Sequence, residues 1–263
     1  MNYEFIDVEK KGHLTIVTIK RPEVMNALHI PANQEMDRAF DEFADDPEAW
    51  VAILTGAGDK AFSAGNDLKW QVQHGAEAVR KGLAALRGGF GGITRRFDCF
   101  KPLIAAVNGL ALGGGFEMAL ACDIIVAADN ASFGIPEPRV GLMAAEGGVH
   151  RLPRHIPYHL AMGLILTGRR LSAQDALRLG LVNEVVPADR LMEAAERWAA
   201  EVLECSPLAV RASKEAAVKG LSRPLEEVIK AVFPGMEAMV RSEDFIEGPK
   251  AFAEKRRPQW KGR

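Results

Sequence analysis

The pattern of apolar and polar positions divides the chain into a first part with mixed element types and a second part of helices. Residues 13–20 (HLTIVTIK) combine β-branched side chains with partial alternation, which predicts a strand. Continuous apolar runs at 51–54, 103–107 and 124–128 predict buried strands. A strand that is apolar along its whole length needs cover on both faces, and helical segments lie between these runs. The pattern therefore predicts an α/β fold.

Apolar side chains at helical spacing predict the helices. In the first part they predict helices at 31–45, 75–90 and 115–122, although glycines at 82, 88 and 89 weaken the second of these. From residue 157 onward the pattern is nearly all helical, and prolines mark helix starts or kinks. The predicted helices of this second part span 158–167, 172–179, 188–204, 207–219, 222–240 and 243–255. The composition changes near residue 155.

Charge and composition exclude several classes of protein. The 263 residues include 33 Lys and Arg against 35 Asp and Glu, so the net charge is −2 and we expect no nucleic-acid partner. No apolar run reaches the roughly 18 residues of a membrane span, so we expect no membrane association. Residues 1–12 lack the apolar core of an export signal, and the three cysteines form no CxxC pair. These features predict a cytoplasmic protein.

Three segments carry residues suited to chemistry. The small residues at 62–68 (FSAGNDL) follow a predicted strand and form either an ordinary turn or a set of exposed N–H donors. The glycines at 113–115 open a helix, either as a simple cap or as an anion site with Glu117 in its first turn. Glu137 follows Pro136 and is either a surface residue or a partner of Glu117. Because one predicted strand separates the two glutamates, we expect them to reach one cleft.

Competing motifs have less support. Residues 56–61 formally fit the GxGxxA dinucleotide fingerprint, but a turn follows them where that fingerprint needs a helix. His155 and His159 have the spacing of a zinc pair, but Pro157 lies between them and there is no HExxH. The sequence also lacks a GxSxG elbow and a Walker lysine. We therefore expect no metal, and neither a serine-hydrolase nor a P-loop site.

The three segments, in this order and spacing, resemble the enoyl-CoA hydratase/isomerase (crotonase) superfamily. The resemblance covers nearly the whole chain. It includes RP at 21–22, NAL at 26–28, FSAGNDL at 62–68, KPLIAAVNGLALGGGFEMALACDIIVAA at 101–128, FGIPE at 133–137, TGR at 167–169, GLVNEVVP at 180–187 and AFAEKR at 251–256. It implies a spiral of ββα turns with two roughly perpendicular sheets and a helical C-terminal region for trimerisation. We accordingly predict a core with the acyl-CoA site at 1–200 and a helical region for oligomerisation and CoA contact at 201–263.

The resemblance also implies the roles of individual residues. The N–H groups of Asn66 and Gly114 would form an oxyanion hole for the thioester oxygen. Contacts with the substrate and its CoA are implied for Ala64, Gly65, Asn66, Asp67, Leu68, Gly113, Phe252 and Lys255. Of these, Phe252 and Lys255 would come from a neighbouring subunit of a homotrimer or a dimer of trimers.

A glutamate at both matching positions favours hydro-lyase chemistry within the superfamily. Hydration of a 2-enoyl-CoA needs a base for water at C3 and an acid at C2, and we assign Glu117 to the first and Glu137 to the second. The predicted function is enoyl-CoA hydratase. The alternatives are a hydro-lyase similar to carnitinyl-CoA dehydratases and a Δ3,Δ2-enoyl-CoA isomerase. No cofactor is expected, since coenzyme A is part of the substrate.

The segment after Glu137 departs from the pattern of many hydratases. It reads GLMAAEGG at 141–148, where a Pro-Gly pair is common, and it places an additional carboxylate at Glu146. This carboxylate either faces solvent or caps the following helix, or it faces the pocket and favours polar or cationic acyl groups. The runs at 147–154 and 167–172 are similar to those of carnitinyl-CoA dehydratases.

Overall fold

The computed structural model describes residues 3–263. Met1 and Asn2, which belong to the segment tested above for an export signal, lie outside this range. Within it, strands β1 to β10 are Ile6–Lys11, Leu14–Ile19, Val51–Gly56, Ala61–Ser63, Leu103–Val107, Leu110–Leu112, Ile124–Ala128, Ser132–Gly134, Arg170–Ser172 and Glu184–Val186. Helices α1 to α12 are Ile30–Asp45, Leu68–His74, Ala76–Ala84, Gly114–Ala121, Gly148–His155, Tyr158–Thr167, Ala173–Arg178, Leu191–Leu203, Pro207–Gly220, Leu225–Ile229, Pro234–Val240 and Glu243–Ala253.

The strands of the described residues form two sheets. The larger sheet has six strands in the order β1-β2-β3-β5-β7-β10, and all neighbours are parallel except the edge pair β1-β2. The smaller sheet has the order β4-β6-β8-β9, in which only β9 is antiparallel to its neighbour. The chain visits the sheets in turn, so that β3 leads to β4, β5 to β6 and β7 to β8. This alternation brings the carboxyl ends of β4, β6 and β8 next to one another.

The larger sheet is buried on both faces, as its apolar runs predict. Along β3, Ala52 and Leu54 point into the main core, whereas Val51 and Ile53 join a second cluster. Helix α8 covers that second face and contributes Ala195 and other alanines to the cluster. Strands β5 and β7 divide their side chains in the same way. Continuous apolar strands are therefore explained by two cores, one on each side of the sheet.

Several predicted elements are confirmed, and others are wrong. The strands predicted at 13–20, 51–54, 103–107 and 124–128 are β2, β3, β5 and β7, and the helix predicted at 31–45 is α1. The helix predicted at 75–90 is shorter and ends at Ala84. It does not continue to residue 90, since Gly89 adopts a positive φ angle that an α-helix excludes.

The second part of the chain also departs from the nearly all-helical prediction. Strand β9 adds to the smaller sheet and β10 adds to the larger one. The helix predicted at 222–240 is two short helices, α10 and α11, and Pro234 begins the second of them. Strand β10 completes the larger sheet, and α8 covers one of its faces. The composition change near residue 155 therefore does not mark the end of the core.

The last helices pack on one another beyond α8. Helix α11 lies against α9. The chain after α12 folds back along α12. Asp244, which is buried, accepts hydrogen bonds from the backbone N–H groups of Lys261 at 2.7 Å and Gly262 at 3.1 Å. Among residues 3–263, no helix combines the length and the apolar character needed to cross a membrane.

Candidate active site

The start of α4 is the centre of the site. Gly113 has a φ of +55°, and its N–H donates to the carbonyl of Gly134 at the end of β8. The next residue, Gly114, lies under the ring of Phe90, because a β-carbon on Gly114 would be 2.6 Å from the Cε1 atom of that ring. The first N–H groups of an α-helix have no acceptor within the helix and carry the positive end of its dipole. This helix start therefore offers N–H donors to an anionic oxygen.

The segment after β4 lies directly against this helix start. A β-carbon on Gly65 would be 2.8 Å from the Gly114 nitrogen, so the two backbones are in contact. Leu28 bonds with both neighbours of Asn66: its N–H donates to the Gly65 carbonyl and its carbonyl accepts from the Asp67 N–H. In an extended segment successive N–H groups alternate in direction, so the Asn66 N–H points away from Leu28. The structure thus brings the two segments of the predicted oxyanion hole together.

Glu117 lies in the first turn of α4 and is buried, with 3% of its surface exposed. Its Oε1 atom accepts a hydrogen bond of 2.8 Å from the N–H of Gly148, the first residue of α5. Burial raises the pKa of Glu117 from 4.5 to about 7, and the negative charges of Glu137 and Glu146 act in the same direction. A carboxyl group with such a pKa can exchange a proton near neutral pH.

Glu137 begins a 3₁₀ helix, Glu137–Val140, after the end of β8. A β-carbon on Gly113 would be 2.7 Å from the Oε1 atom of Glu137, so this carboxyl group packs against the start of α4. Its Oε2 atom is buried, and no hydrogen-bond donor in residues 3–263 reaches it. Burial raises the pKa of this group as well. Both glutamates therefore lie at the start of α4. Two strands, β7 and β8, lie between them along the chain, where the sequence suggested one.

Of the other residues predicted to contact the substrate, Asp67 and Leu68 lie beside the site, whereas Phe252 and Lys255 lie in the C-terminal region. Asp67 has its carboxylate engaged within the chain: it pairs with Arg21 at 3.1 Å and caps α2 by accepting from the Trp70 N–H at 3.1 Å. Leu68 is exposed beside it. Phe252 is 87% exposed at the end of α12, and Lys255 follows it. Both lie in the C-terminal region, so their predicted role in a neighbouring subunit's site stays a prediction.

Two residues of the site were not singled out from the sequence. Gly148 supplies the N–H that holds Glu117, and the preceding Gly147, with a φ of +112°, is a signal for a turn into a helix. Phe90 stands between the glycine pairs 88–89 and 91–92. So many glycines are unusual in a helix and could have indicated a turn with positive φ angles. The formal dinucleotide fingerprint at 56–61 leads into β4, so it lacks the helix that phosphate binding needs.

Comparisons with known proteins agree with this geometry. The sequence profile of the enoyl-CoA hydratase/isomerase family matches residues 9–263. The carnitinyl-CoA dehydratase of Salmonella typhi is 45% identical, with 99% of each chain covered. The crystal structure of enoyl-CoA hydratase from Mycobacterium tuberculosis H37Rv has a TM-score of 0.89 at 39% identity, covering 98% of this chain and 99% of that chain.

A second solved structure, the enoyl-CoA hydratase of Bacillus anthracis, has a TM-score of 0.92 at 37% identity and covers 99% of this chain and 100% of that chain. These matches confirm both the family and the fold class predicted from the sequence. The names of the relatives also agree with the predicted hydro-lyase chemistry and with its dehydratase alternative. The chain belongs to the enoyl-CoA hydratase/isomerase family.

Proposed function

We propose that this protein catalyses the reversible addition of water to a 2-enoyl-CoA thioester. The observation that carries the proposal is the pair of carboxyl groups at the start of α4, of which Glu117 is buried and Glu137 is partly buried. Glu117 has one oxygen fixed by the Gly148 N–H, and Glu137 has a buried oxygen without a donor in the described chain. Burial raises the pKa of both groups, which suits an acid and a base that work near neutral pH.

Each carboxyl group has its own role in this proposal. Glu117 takes a proton from water as the oxygen attacks C3, and Glu137 donates a proton to C2. The N–H groups of Asn66 and Gly114 stabilise the negative charge that forms on the thioester oxygen between these steps. Loss of one such donor typically raises the barrier by about 2.7–4 kcal/mol. In dehydration the two glutamates exchange their roles.

The remaining contacts concern coenzyme A and the assembly. We propose that the CoA portion of the substrate follows the segment Ala64, Gly65, Asn66, Asp67 and Leu68 and passes Gly113. For Asp67 the backbone would make the contact, since its carboxylate is engaged with Arg21 and with the α2 cap.

A homotrimer or a dimer of trimers would bring Phe252 and Lys255 of a neighbouring subunit to the CoA. Large apolar side chains exposed on the C-terminal helices support such an assembly, among them Leu225 and Ile229, which are 73% and 75% exposed. Size-exclusion chromatography with light scattering measures the assembly. A chain that is monomeric at assay concentration would contradict this part of the proposal.

The reaction is tested with crotonyl-CoA, by following the loss of the conjugated double bond. Glu117→Gln and Glu137→Gln should each lower kcat by about 10²–10⁴. The double variant should lose less than the product of the two factors, because groups that act as a unit are not additive. Glutamine keeps the size of each side chain, so the variants remove only the ionisable group. Wild-type turnover in either variant would contradict the assignment.

A carnitinyl-CoA dehydratase activity is the second candidate, and the 45% identity to the Salmonella typhi enzyme favours it. The two activities are separated by measuring kcat/KM for crotonyl-CoA, cinnamoyl-CoA and carnitinyl-CoA. A 3-enoyl-CoA serves as the test for an isomerase, which would convert it to the 2-enoyl product without adding water. The cytoplasmic location stays a prediction from the sequence.

A further inference from the structure

The carboxylate of Glu146 points neither to solvent nor to the start of the following helix, α5. Its Oε2 atom accepts hydrogen bonds from the Phe90 N–H at 3.3 Å and from the Thr94 hydroxyl at 3.1 Å. Its Oε1 atom pairs with the guanidinium of Arg95 at 2.5 Å. Only 12% of the side chain is exposed. Three donors from one short segment, residues 90–95, therefore hold this one carboxylate.

Arg151 holds the same segment from α5. Its guanidinium donates to the Thr94 carbonyl at 2.8 Å and to the Glu146 carbonyl at 3.3 Å. Glu146, just before α5, accepts hydrogen bonds from the segment 90–95, and Arg151 of α5 donates one to that segment. These side chains join the segment to the start of α5. Charge-assisted hydrogen bonds of this kind are stronger than neutral ones, so we expect the two segments to move as one unit.

This unit contacts both halves of the site. On one side, the ring of Phe90 lies against Gly114, whose N–H is the proposed oxyanion donor. On the other side, Gly148, two residues after Glu146, donates the hydrogen bond that fixes Glu117. One carboxylate therefore connects the support of the oxyanion donor to the support of the proposed base.

We propose that Glu146 is a positioning residue that keeps Phe90 against Gly114 and the Gly148 N–H against Glu117. This inference rests on the proposed hydration of an enoyl thioester. Small displacements of a reacting group can cost about 10²-fold in rate, so the effect should appear in kcat. Because its charge is paired with Arg95, Glu146 does not serve as the binding group for a cationic acyl chain.

The test compares Glu146→Ala and Glu146→Gln with the wild type. We expect kcat with crotonyl-CoA to fall about tenfold to a hundredfold in the Ala variant, with KM within about threefold of wild type. The Gln variant keeps an oxygen that can accept from Phe90 or Thr94, so its kcat should lie between the two. Glu184→Gln is the matched control, because Glu184 is also a partly buried carboxylate paired with an arginine but lies on β10. Its kcat should stay at the wild-type value.

Two further readouts separate positioning from a general loss of stability. The carbonyl stretching frequency of bound butyryl-CoA reports the strength of the oxyanion hydrogen bonds without any turnover, and its red shift should shrink in the Ala variant. The acidic limb of the pH–rate profile should also move to lower pH in the Gln variant. The charged groups that face Glu117 are Glu137, Glu146 and Arg151, and removal of Glu146 leaves one negative charge fewer beside it.

The outcomes are distinct. A wild-type kcat and an unchanged carbonyl frequency in the Ala variant would overturn the positioning role while leaving the hydratase proposal intact. A wild type without hydration activity would refute the proposed function, and the carbonyl frequency alone would then decide the role of Glu146. If the Ala variant does not fold, Thr94→Val removes one of the three donors with little change in size. This variant should lower kcat by a smaller factor, and an unchanged kcat would contradict the proposal.

Discussion

Replacement of Glu117 by glutamine should stabilise the fold at pH 8 even though it removes activity. Burial raises the pKa of Glu117 from 4.5 to about 7, a difference of about 2.5 pH units or about 3 kcal/mol. Between these two pKa values the folded chain binds more protons than the unfolded chain, so the free energy of unfolding falls as the pH rises. Above about pH 7 Glu117 is ionised in the folded chain, and the full loss of about 3 kcal/mol in the free energy of unfolding is present. Glutamine cannot ionise, and its amide oxygen can still accept from the Gly148 N–H.

The assay is denaturant unfolding of the wild type and of Glu117→Gln at pH 8 and at pH 5. The gain in the free energy of unfolding should be about 3 kcal/mol at pH 8 and below about 1 kcal/mol at pH 5. Glu184→Gln is a control of opposite sign, because hydrogen bonding to Arg197 lowers the pKa of Glu184 and its ionised form stabilises the fold. That variant should lose stability at pH 8. Equal stability of Glu117→Gln and wild type at pH 8 would refute the reasoning.

Three further predictions follow from the same contacts. Gly65→Ala and Gly75→Ala both introduce a side chain at a positive φ, +87° and +86°, but only the first places a β-carbon 2.8 Å from the nitrogen of Gly114, the first residue of α4. Gly75→Ala should lose about 1–2 kcal/mol of stability by denaturant unfolding and keep its kcat. Gly65→Ala should lose more stability, because its β-carbon also meets the backbone, and it should lower kcat; equal kcat in the two variants would contradict this. Asp67→Ala leaves Arg21 unpaired and should cost about 3–5 kcal/mol in unfolding free energy, more than Asp67→Asn. The kcat/KM for hydration should fall below pH of about 7 as Glu117 becomes protonated, and a profile flat from pH 8 to pH 5 would exclude it as the base.

The class of the fold was predictable because its central strands are apolar on both faces. The runs that became β3, β5 and β7 needed no knowledge of the spiral to be recognised as buried strands. The strands of the smaller sheet were not predicted, since β4, β6 and β8 have three residues each. Three residues are too few to show a period of two, and their pairing depends on residues about 20 to 50 positions away. The spiral entered only through the resemblance to a family.

The candidate site was predictable to a different extent at each residue. Glu117 and Glu137 could be paired because a single predicted strand separates them, and the structure brings both to the start of α4. The contacts of Glu146 could not be predicted, because its donors lie 51 to 56 positions earlier in the chain. A single glutamate in a loop does not belong to a helical or strand pattern of apolar residues, so the sequence does not indicate that Glu146 contacts residues 90–95.

Two unfavourable features of the described chain lie where the chemistry is proposed. Buried polar atoms nearly always have a hydrogen-bond partner, yet the Oε2 atom of Glu137 has no donor in the described chain. Glu117, beside it, keeps a carboxyl group where ionisation is costly. Neither feature stabilises the fold, and apolar or amide side chains of similar size would satisfy the packing. A chain retains such groups where a reaction needs them, so stability gained by Glu117→Gln together with activity lost is the combined result that a purely structural role would not produce.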